Sequence, residues 1–288
     1  YRAKELGRNT YFFYNDELNT EMAERHALEA SLRHALERRE FHLHYQPKAC
    51  LRSGRVTGVE ALLRWTPSSG QRIGPDRFIP ILEDIGLINQ VGTWVLRTAC
   101  AQIAAWKTAG LPPLRLAVNV SARQFRQPNL PEQIAGLLAE HGLAPADLEV
   151  ELTESMLMED SEQSRDILSR LGTMGIQLAI DDFGTGHSSL AYLKRFNVHA
   201  LKIDRSFVKD TPEDPEDSAI ATAIIGLSAN LKIRVVAEGV ETQAQANFLQ
   251  QQGCDEMQGY LLSAPLPPRE FAIWLRQRTA AGAVDSVT

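Results

Sequence analysis

Cysteine is scarce in these 288 residues, and the three present, Cys50, Cys100 and Cys254, are widely spaced, odd in number and free of any C-x-x-C pair. That pattern excludes a disulfide framework, gives no support for structural zinc, and favours a reducing, cytoplasmic compartment. Long uncharged apolar runs are missing too. The longest apolar segment, Val91 to Ala109, carries Arg97, Gln102 and Lys107, which makes it a core helix rather than a membrane span. No secretory leader opens the chain, and Tyr1 in the first position instead of Met points to an excerpt of a longer protein. Positive charge is not in excess: the formal net charge of -6 argues against a nucleic-acid polymer as partner. It still leaves room for a local basic pocket that takes one phosphodiester.

What is present is an ordinary globular balance, 44% hydrophobic and 23% charged residues, enough chain for one domain of about 250 residues plus an extension. Residues 1–14 read as the end of a helix, a Gly-Arg-Asn break and a short aromatic strand. From Asp16 to Arg39 there is no Gly or Pro, and Leu28, Leu32 and Leu36 recur at helical spacing. This connecting helix suits either packing on the next domain or a coiled-coil seam.

Beyond Phe41 strand-like and helix-like segments alternate. Eight strands are expected, near His42–Lys48, Val56–Trp65, Leu114–Ser121, Leu148–Glu154, Ile176–Phe183, Ala200–Val208, Arg234–Val240 and Met257–Ser263. Helices are expected over Ile88–Ala109, Pro131–Glu140, Ser161–Met174, Ser188–Phe196, Pro215–Asn230 and Thr242–Gln252. The alternation predicts an α/β fold, a TIM-type (β/α)8 barrel. Only Leu51 to Arg55 separates the first two strands, too short for a parallel crossover, so this pair is expected to form an antiparallel hairpin.

The most informative stretch is Ile176 to Gly186, I-Q-L-A-I-D-D-F-G-T-G, where an alternating strand stops at two adjacent carboxylates. Neighbours on a strand face opposite ways, so Asp181 and Asp182 share one site only if the strand breaks up there. Two like charges side by side call for a cation, although an Asp-Asp turn capping the next helix fits the same letters. Other strand ends supply partners. Gln46 precedes Pro47, Glu60 and Arg64 lie in E-A-L-L-R-W, Asn119 ends its strand, and Glu151 and Glu154 end theirs. Lys202 and Asp204 come next, then Glu238 after V-V-A, and Gln258. In a barrel of this type the site lies at the C-terminal ends of the parallel strands, where these residues collect.

Glu60, Asn119, Glu151 and Asp181 offer four hard oxygen ligands from four strands, the set expected for Mg²⁺ or Mn²⁺. With Asp182 and Glu238 there are carboxylates enough for two ions, which at roughly 3.5–4 Å separation promote in-line phosphoryl displacement. Lys202 and Arg64 add positive charge without competing as ligands. Lys202 equally suits a buried ion pair, and Glu238 either a metal or a general-base role.

From about residue 30 to 280 the chain closely resembles the EAL-domain family of cyclic di-GMP phosphodiesterases. The resemblance is carried by Y-Q-P at Tyr45 to Pro47, Glu60-Ala61-Leu62 within E-A-L-L-R-W, V-N-V-S at Val118 to Ser121 and E-L-T-E-S at Glu151 to Ser155. It continues through D-D-F-G-T-G at Asp181 to Gly186, K-I-D at Lys202 to Asp204, A-E-G-V-E at Ala237 to Glu241 and Q-G-Y at Gln258 to Tyr260. It implies a barrel with one antiparallel strand, the second, and hydrolysis of cyclic di-GMP to linear pGpG with Mg²⁺ or Mn²⁺, two ions being expected and Ca²⁺ inhibitory. The implied metal ligands are Glu60, Asn119, Glu151, Asp181 and Asp182, with Glu238 and Lys202 orienting or deprotonating the attacking water. Gln46, Leu63, Arg64, Asp204 and Gln258 match substrate-contacting positions, and Glu154 matches the residue that anchors the D-D-F-G-T-G loop.

His187 departs from the aromatic residue common in the family. The first fifteen residues resemble the close of a GGDEF domain. The resemblance therefore implies a GGDEF tail at 1–15, a connecting helix at 16–39, the barrel domain at 40–280 and a tail at 281–288. It implies a homodimer, an upstream GGDEF or sensory domain and no membrane contact by this segment. Two rival readings are a catalytically silent cyclic di-GMP receptor and a barrel enzyme acting on other phosphodiesters.

Overall fold

The computed structural model describes residues 16–158, 161–185, 193 and 196–284, with the backbone alone for 16–21 and 281–284. The expected GGDEF tail, the helix over Ser188–Phe196 and His187 lie outside the described residues, apart from Leu193 and Phe196. The chain divides into two compact units, one from residues up to Phe41 together with Trp65–Leu87, the other from His42–Arg64 together with Ile88 onward.

In the smaller unit, helix α1 (Asp16–Ala35) ends four residues before the expected Arg39. Arg39 takes φ 57°, and the Glu40 amide donates to the Ala35 carbonyl at 3.0 Å, closing the helix with a left-handed turn. Of the leucine stripe, Leu32 is buried and Leu28 and Leu36 are half-buried. Helix α2 (Pro75–Asp84) was not expected, although Pro75 at its first position is a usual start signal. It contributes Phe78 to a ring cluster with Phe41 and Trp65, centroids 5.7–6.3 Å apart. Buried Glu40 accepts from Trp65 Nε1 at 3.2 Å and from the Ser68 amide at 3.0 Å.

The larger unit is built on a closed barrel of eight strands in sequence order: β1 (Phe41–Cys50), β2 (Val56–Trp65), β3 (Arg115–Asn119), β4 (Leu148–Thr153), β5 (Gln177–Phe183), β6 (Ala200–Ile203), β7 (Arg234–Ala237) and β8 (Glu256–Met257). Strands β2 to β8 are mutually parallel, and β1 meets β8 antiparallel with Ala49 opposite Met257. The expected short hairpin is there, but its reversed member is β1 and not β2. A tight turn shows only that two strands oppose each other. The crossover from β2 to β3 is long enough, with helix α3 (Ile88–Thr108) inside it, to make β2 parallel to the rest.

Strands β3, β4 and β7 end one to three residues earlier than the sequence pattern suggests, and β6 and β8 end five or six earlier. After Ile203, Asp204 accepts from the Ser206 amide at 2.9 Å and starts a 3₁₀ turn, Arg205–Phe207. Strand β8 is two residues long, and Gln258 to Ser263 are turn and loop. The last helix, Pro268–Val284, runs across the expected boundary at 280. No helix of the described residues is long and apolar enough to cross a membrane.

Candidate active site

The break in β5 is the device that gathers the acids. Pairing with β6 shifts register between Ile180 and Phe183, and Asp182 takes φ 52°, a left-handed conformation that aspartate tolerates better than most residues. The two neighbouring aspartates therefore serve one site. Carboxylate oxygens of Asp181, Asp182 and Glu238 all lie within 4.8 Å of one another. Glu154 opens the short helix Glu154–Met158 and is buried; its Oε2 accepts from the Gly184 amide at 3.1 Å, which ties down the loop that follows the aspartates.

At the centre stands Lys202, 1% exposed. Its Nζ lies 2.7 Å from Glu238, 2.8 Å from Glu151, 3.0 Å from Asp181 and 3.7 Å from Glu60. Of the two readings open for this lysine, the buried ion pair exists, made with four acids, of which Glu60 and Glu151 come from across the barrel. Glu60 Oε1 accepts from Asn119 Nδ2 at 2.6 Å, and Glu60 Oε2 accepts from Gln258 Nε2 at 2.6 Å. The same Gln258 nitrogen donates to Gln46 Oε1 at 3.0 Å, and Gln46 Nε2 donates to the Ser263 carbonyl. Gln46, Glu60, Asp181, Lys202, Glu238 and Gln258 border a cleft of about 290 Å³, with Arg64, Arg205, Glu241 and Tyr260 on its walls. Leu62 lines the cleft where Leu63 was expected; the Leu63 carbonyl instead accepts from Arg64 Nη1 at 2.9 Å.

One lysine cannot balance this many carboxylates. Burial, with the charges of Asp181 and Glu60 added, raises Glu238 to about 8. Burial and neighbouring Asp181 and Asp204 raise Asp182 to about 6. Burial and the Glu60 charge push Glu151 up against the pull of two lysines. Glu60 goes the other way: burial would raise it, but Lys202 and Lys48 together hold it below the usual carboxylate range. An excess of converging hard oxygens, part of it kept protonated for want of positive charge, fits a site for divalent cations.

Several participants were not foreseen. Arg205, paired with Glu241 at 2.8 Å, and Tyr260, 64% exposed, border the cleft. Lys48 and Glu149 lie inside the barrel, and both follow from the two-residue alternation that already placed Gln46 and Glu151. The helix-to-strand end also carries acids. Glu149 and Glu256 sit there, matched to Arg115 and Arg234.

Removing the loop anchor tests the local geometry. Glu154→Ala is expected to lower kcat by about 10- to 100-fold with a smaller change in KM, while Glu154→Gln, which keeps one acceptor oxygen, recovers part of the loss. Steady-state rates of the three proteins check this.

An eight-stranded barrel with one reversed strand and a carboxylate cluster around a buried lysine defines a class: an α/β barrel with an acidic site gathered inside it. Residues 29–265 match the EAL domain family, and the chain belongs to it. It is 46% identical over 271 residues to the bifunctional diguanylate cyclase/cyclic di-GMP phosphodiesterase MucR of Pseudomonas aeruginosa, covering 94% of this chain and 40% of MucR. It is 43% identical over 276 residues to the cyclic di-GMP phosphodiesterase NbdA of the same organism, covering 96% of this chain and 35% of NbdA. The solved structure of PaMucR phosphodiesterase in its c-di-GMP complex superposes with a TM-score of 0.82 at 46% identity, over 85% of this chain and 99% of that one.

Proposed function

We propose that this chain is a cyclic di-GMP phosphodiesterase that opens the cyclic dinucleotide to linear pGpG, using Mg²⁺ or Mn²⁺ held by Asp181, Asp182, Glu238, Glu60, Glu151 and Asn119. The observation that carries the proposal is the convergence of Asp181, Asp182 and Glu238 beside Lys202 in a barrel 46% identical to one solved with c-di-GMP. When bound, the cations supply Lewis acidity toward phosphate oxygens and water.

The chain's own residues do the rest. Glu238, which Lys202 holds 2.7 Å away, is placed to take a proton from the attacking water once it is itself deprotonated. The water oxygen bonds to phosphorus as one P–O ester bond breaks, and the freed ester oxygen takes up a proton to become a hydroxyl. Arg64, at the cleft wall, supplies charge for the non-bridging phosphate oxygens. Gln46 and Gln258 form a side-chain pair that lines the cleft, and with Leu63, Arg64 and Asp204 they are the expected substrate-contacting set.

The silent-receptor reading calls for a missing ligand, and the sequence carries all six expected ones. A panel tests specificity: cyclic di-GMP should be turned over, whereas bis-p-nitrophenyl phosphate and glycerophosphodiesters should be poor substrates. Preferred turnover of a glycerophosphodiester would refute the substrate assignment. Ca²⁺ is expected to inhibit, because its longer bonds and looser coordination disturb a compact two-ion site, and activation by Ca²⁺ would contradict that geometry. The chain spans 40% or less of the two relatives named above. A GGDEF domain upstream of residue 15, a relay through 16–39, a dimeric state and a cytoplasmic setting for the barrel belong to the same proposal.

A further inference from the structure

The carboxylate of Glu151 is held from two sides. Lys202 Nζ donates to Oε2 at 2.8 Å and Lys48 Nζ donates to Oε1 at 2.5 Å. Lys48 also donates to Glu149 Oε1 at 2.9 Å and is 1% exposed, while Glu149 and Glu151 are 0% and 1% exposed. Strands β1 and β4 are not neighbours in the closed barrel, so Lys48 reaches across the interior to touch both acids. Because β1 runs against the other strands, its inward residues Gln46 and Lys48 descend from the cleft toward the foot. Glu149 and Glu151 ascend on β4 by the same two-residue step.

Glu149 shares this lysine with two arginines, and, against the upward push of burial, Lys48 leads the cations that hold its carboxyl down. Its Oε2 lies 3.0 Å from Arg115 Nε and pairs with Arg234, and both arginines also meet Glu256, at 3.0 and 3.5 Å. The foot of the barrel thus carries two arginines for two glutamates, and Lys48 is a further buried ammonium group shared between Glu149 and Glu151. Burying it is costly unless it is paired, and Glu151 is the acid that links it to the carboxylate cluster. Lys202, by contrast, is shared among four acids.

We propose that Lys48 is a positioning residue for the metal site: it pins one oxygen of Glu151 from below, so that the other faces Lys202 and the carboxylate cluster. This rests on the reading of Glu151 as a cation ligand. It makes Lys48 the outer partner that orients the ligand and matches its charge, a task that hydrogen-bonded neighbours of metal-binding carboxylates commonly perform.

The test is Mn²⁺ affinity, read by electron paramagnetic resonance of the free ion at fixed pH, together with thermal unfolding. The proteins are the unaltered chain, Lys48→Met, and Lys48→Met combined with Glu149→Gln. The double variant removes one charge of each sign and so spares the fold from an unpaired buried acid. Both variants are expected to bind Mn²⁺ 10- to 100-fold more weakly, and the double variant is expected to regain thermal stability without regaining affinity. Unchanged affinity in the double variant would show that Lys48 serves only the charge balance of the barrel, and would overturn the proposal. Absence of Mn²⁺ binding by the unaltered chain would overturn the metal-site reading and this inference with it. In the unaltered chain, which needs no variant, the ¹⁵N resonance of the Lys48 ammonium is expected to move on addition of Mg²⁺. A resonance that stays fixed while the cation binds would equally overturn the role.

Discussion

Asp181→Ala is expected to remove turnover of cyclic di-GMP by at least about 10³-fold while leaving the fold as stable as before or slightly more so. The two effects have one origin. Asp181 lies 3.0 Å from Lys202 and within 4.8 Å of Asp182 and Glu238, so on the proposed reading it sits where the cation and the reacting phosphate meet. In the metal-free protein it is one of several like charges in a partly buried cluster, and losing it relieves repulsion that raises Asp182 and Glu238. Glu60→Ala should also abolish turnover, but it leaves Asn119 and Gln258 without their acceptor, so its stability should fall by about 1–3 kcal/mol. Initial rates and denaturant titrations on the same samples separate the two predictions. Full activity in either variant would refute the ligand assignment.

Mg²⁺ is expected to stabilise the chain, and to do so far more at pH 8 than at pH 6. Glu238 at about 8 and Asp182 at about 6 keep protons in the folded state that the unfolded chain releases near pH 4. The folded state binds more protons across that window. The stability these protons contribute is therefore complete below about pH 4 and is lost as pH rises through about 6 and then about 8. Cation binding needs the deprotonated carboxylates, so its affinity rises over the same interval. The metal-free protein should melt at progressively lower temperature from pH 5.5 to 8.5, with saturating Mg²⁺ cancelling most of that decline. A melting temperature indifferent to Mg²⁺ at pH 8 would count against a cation site. The Asp181→Ala protein should show little of the effect.

Much of this architecture can be read from the residues themselves. The strand count follows from alternation between turn signals, and the catalytic end follows from the acids at strand ends. The sharing of one site by Asp181 and Asp182 follows from the need for a break in β5, which the register shift and φ 52° at Asp182 supply. What stayed hidden has physical reasons. A five-residue turn shows that β1 and β2 oppose each other but not which of them agrees with the barrel. Asp204 looks like a strand residue until its side chain is seen capping the 3₁₀ turn.

Lys48 and Glu149 are inward-facing charges in a barrel interior, where the usual expectation of apolar residues inside fails. Their alternation with Gln46 and Glu151 was the available signal. The exposed ring of Tyr260 and the Arg205–Glu241 pair sit on loops, whose approach to a cleft depends on the closed barrel and not on local pattern.

The central claim is that a carboxylate cluster organised by Lys202 makes this EAL barrel a working phosphodiesterase. The most direct test is to incubate the purified chain with cyclic di-GMP and Mg²⁺, with and without EDTA, and to separate the products by chromatography. The account predicts linear pGpG as the product, formed with Mg²⁺ and absent with EDTA. A folded, Mg²⁺-loaded sample that binds cyclic di-GMP in a calorimeter yet releases no pGpG would contradict it and make the chain a receptor.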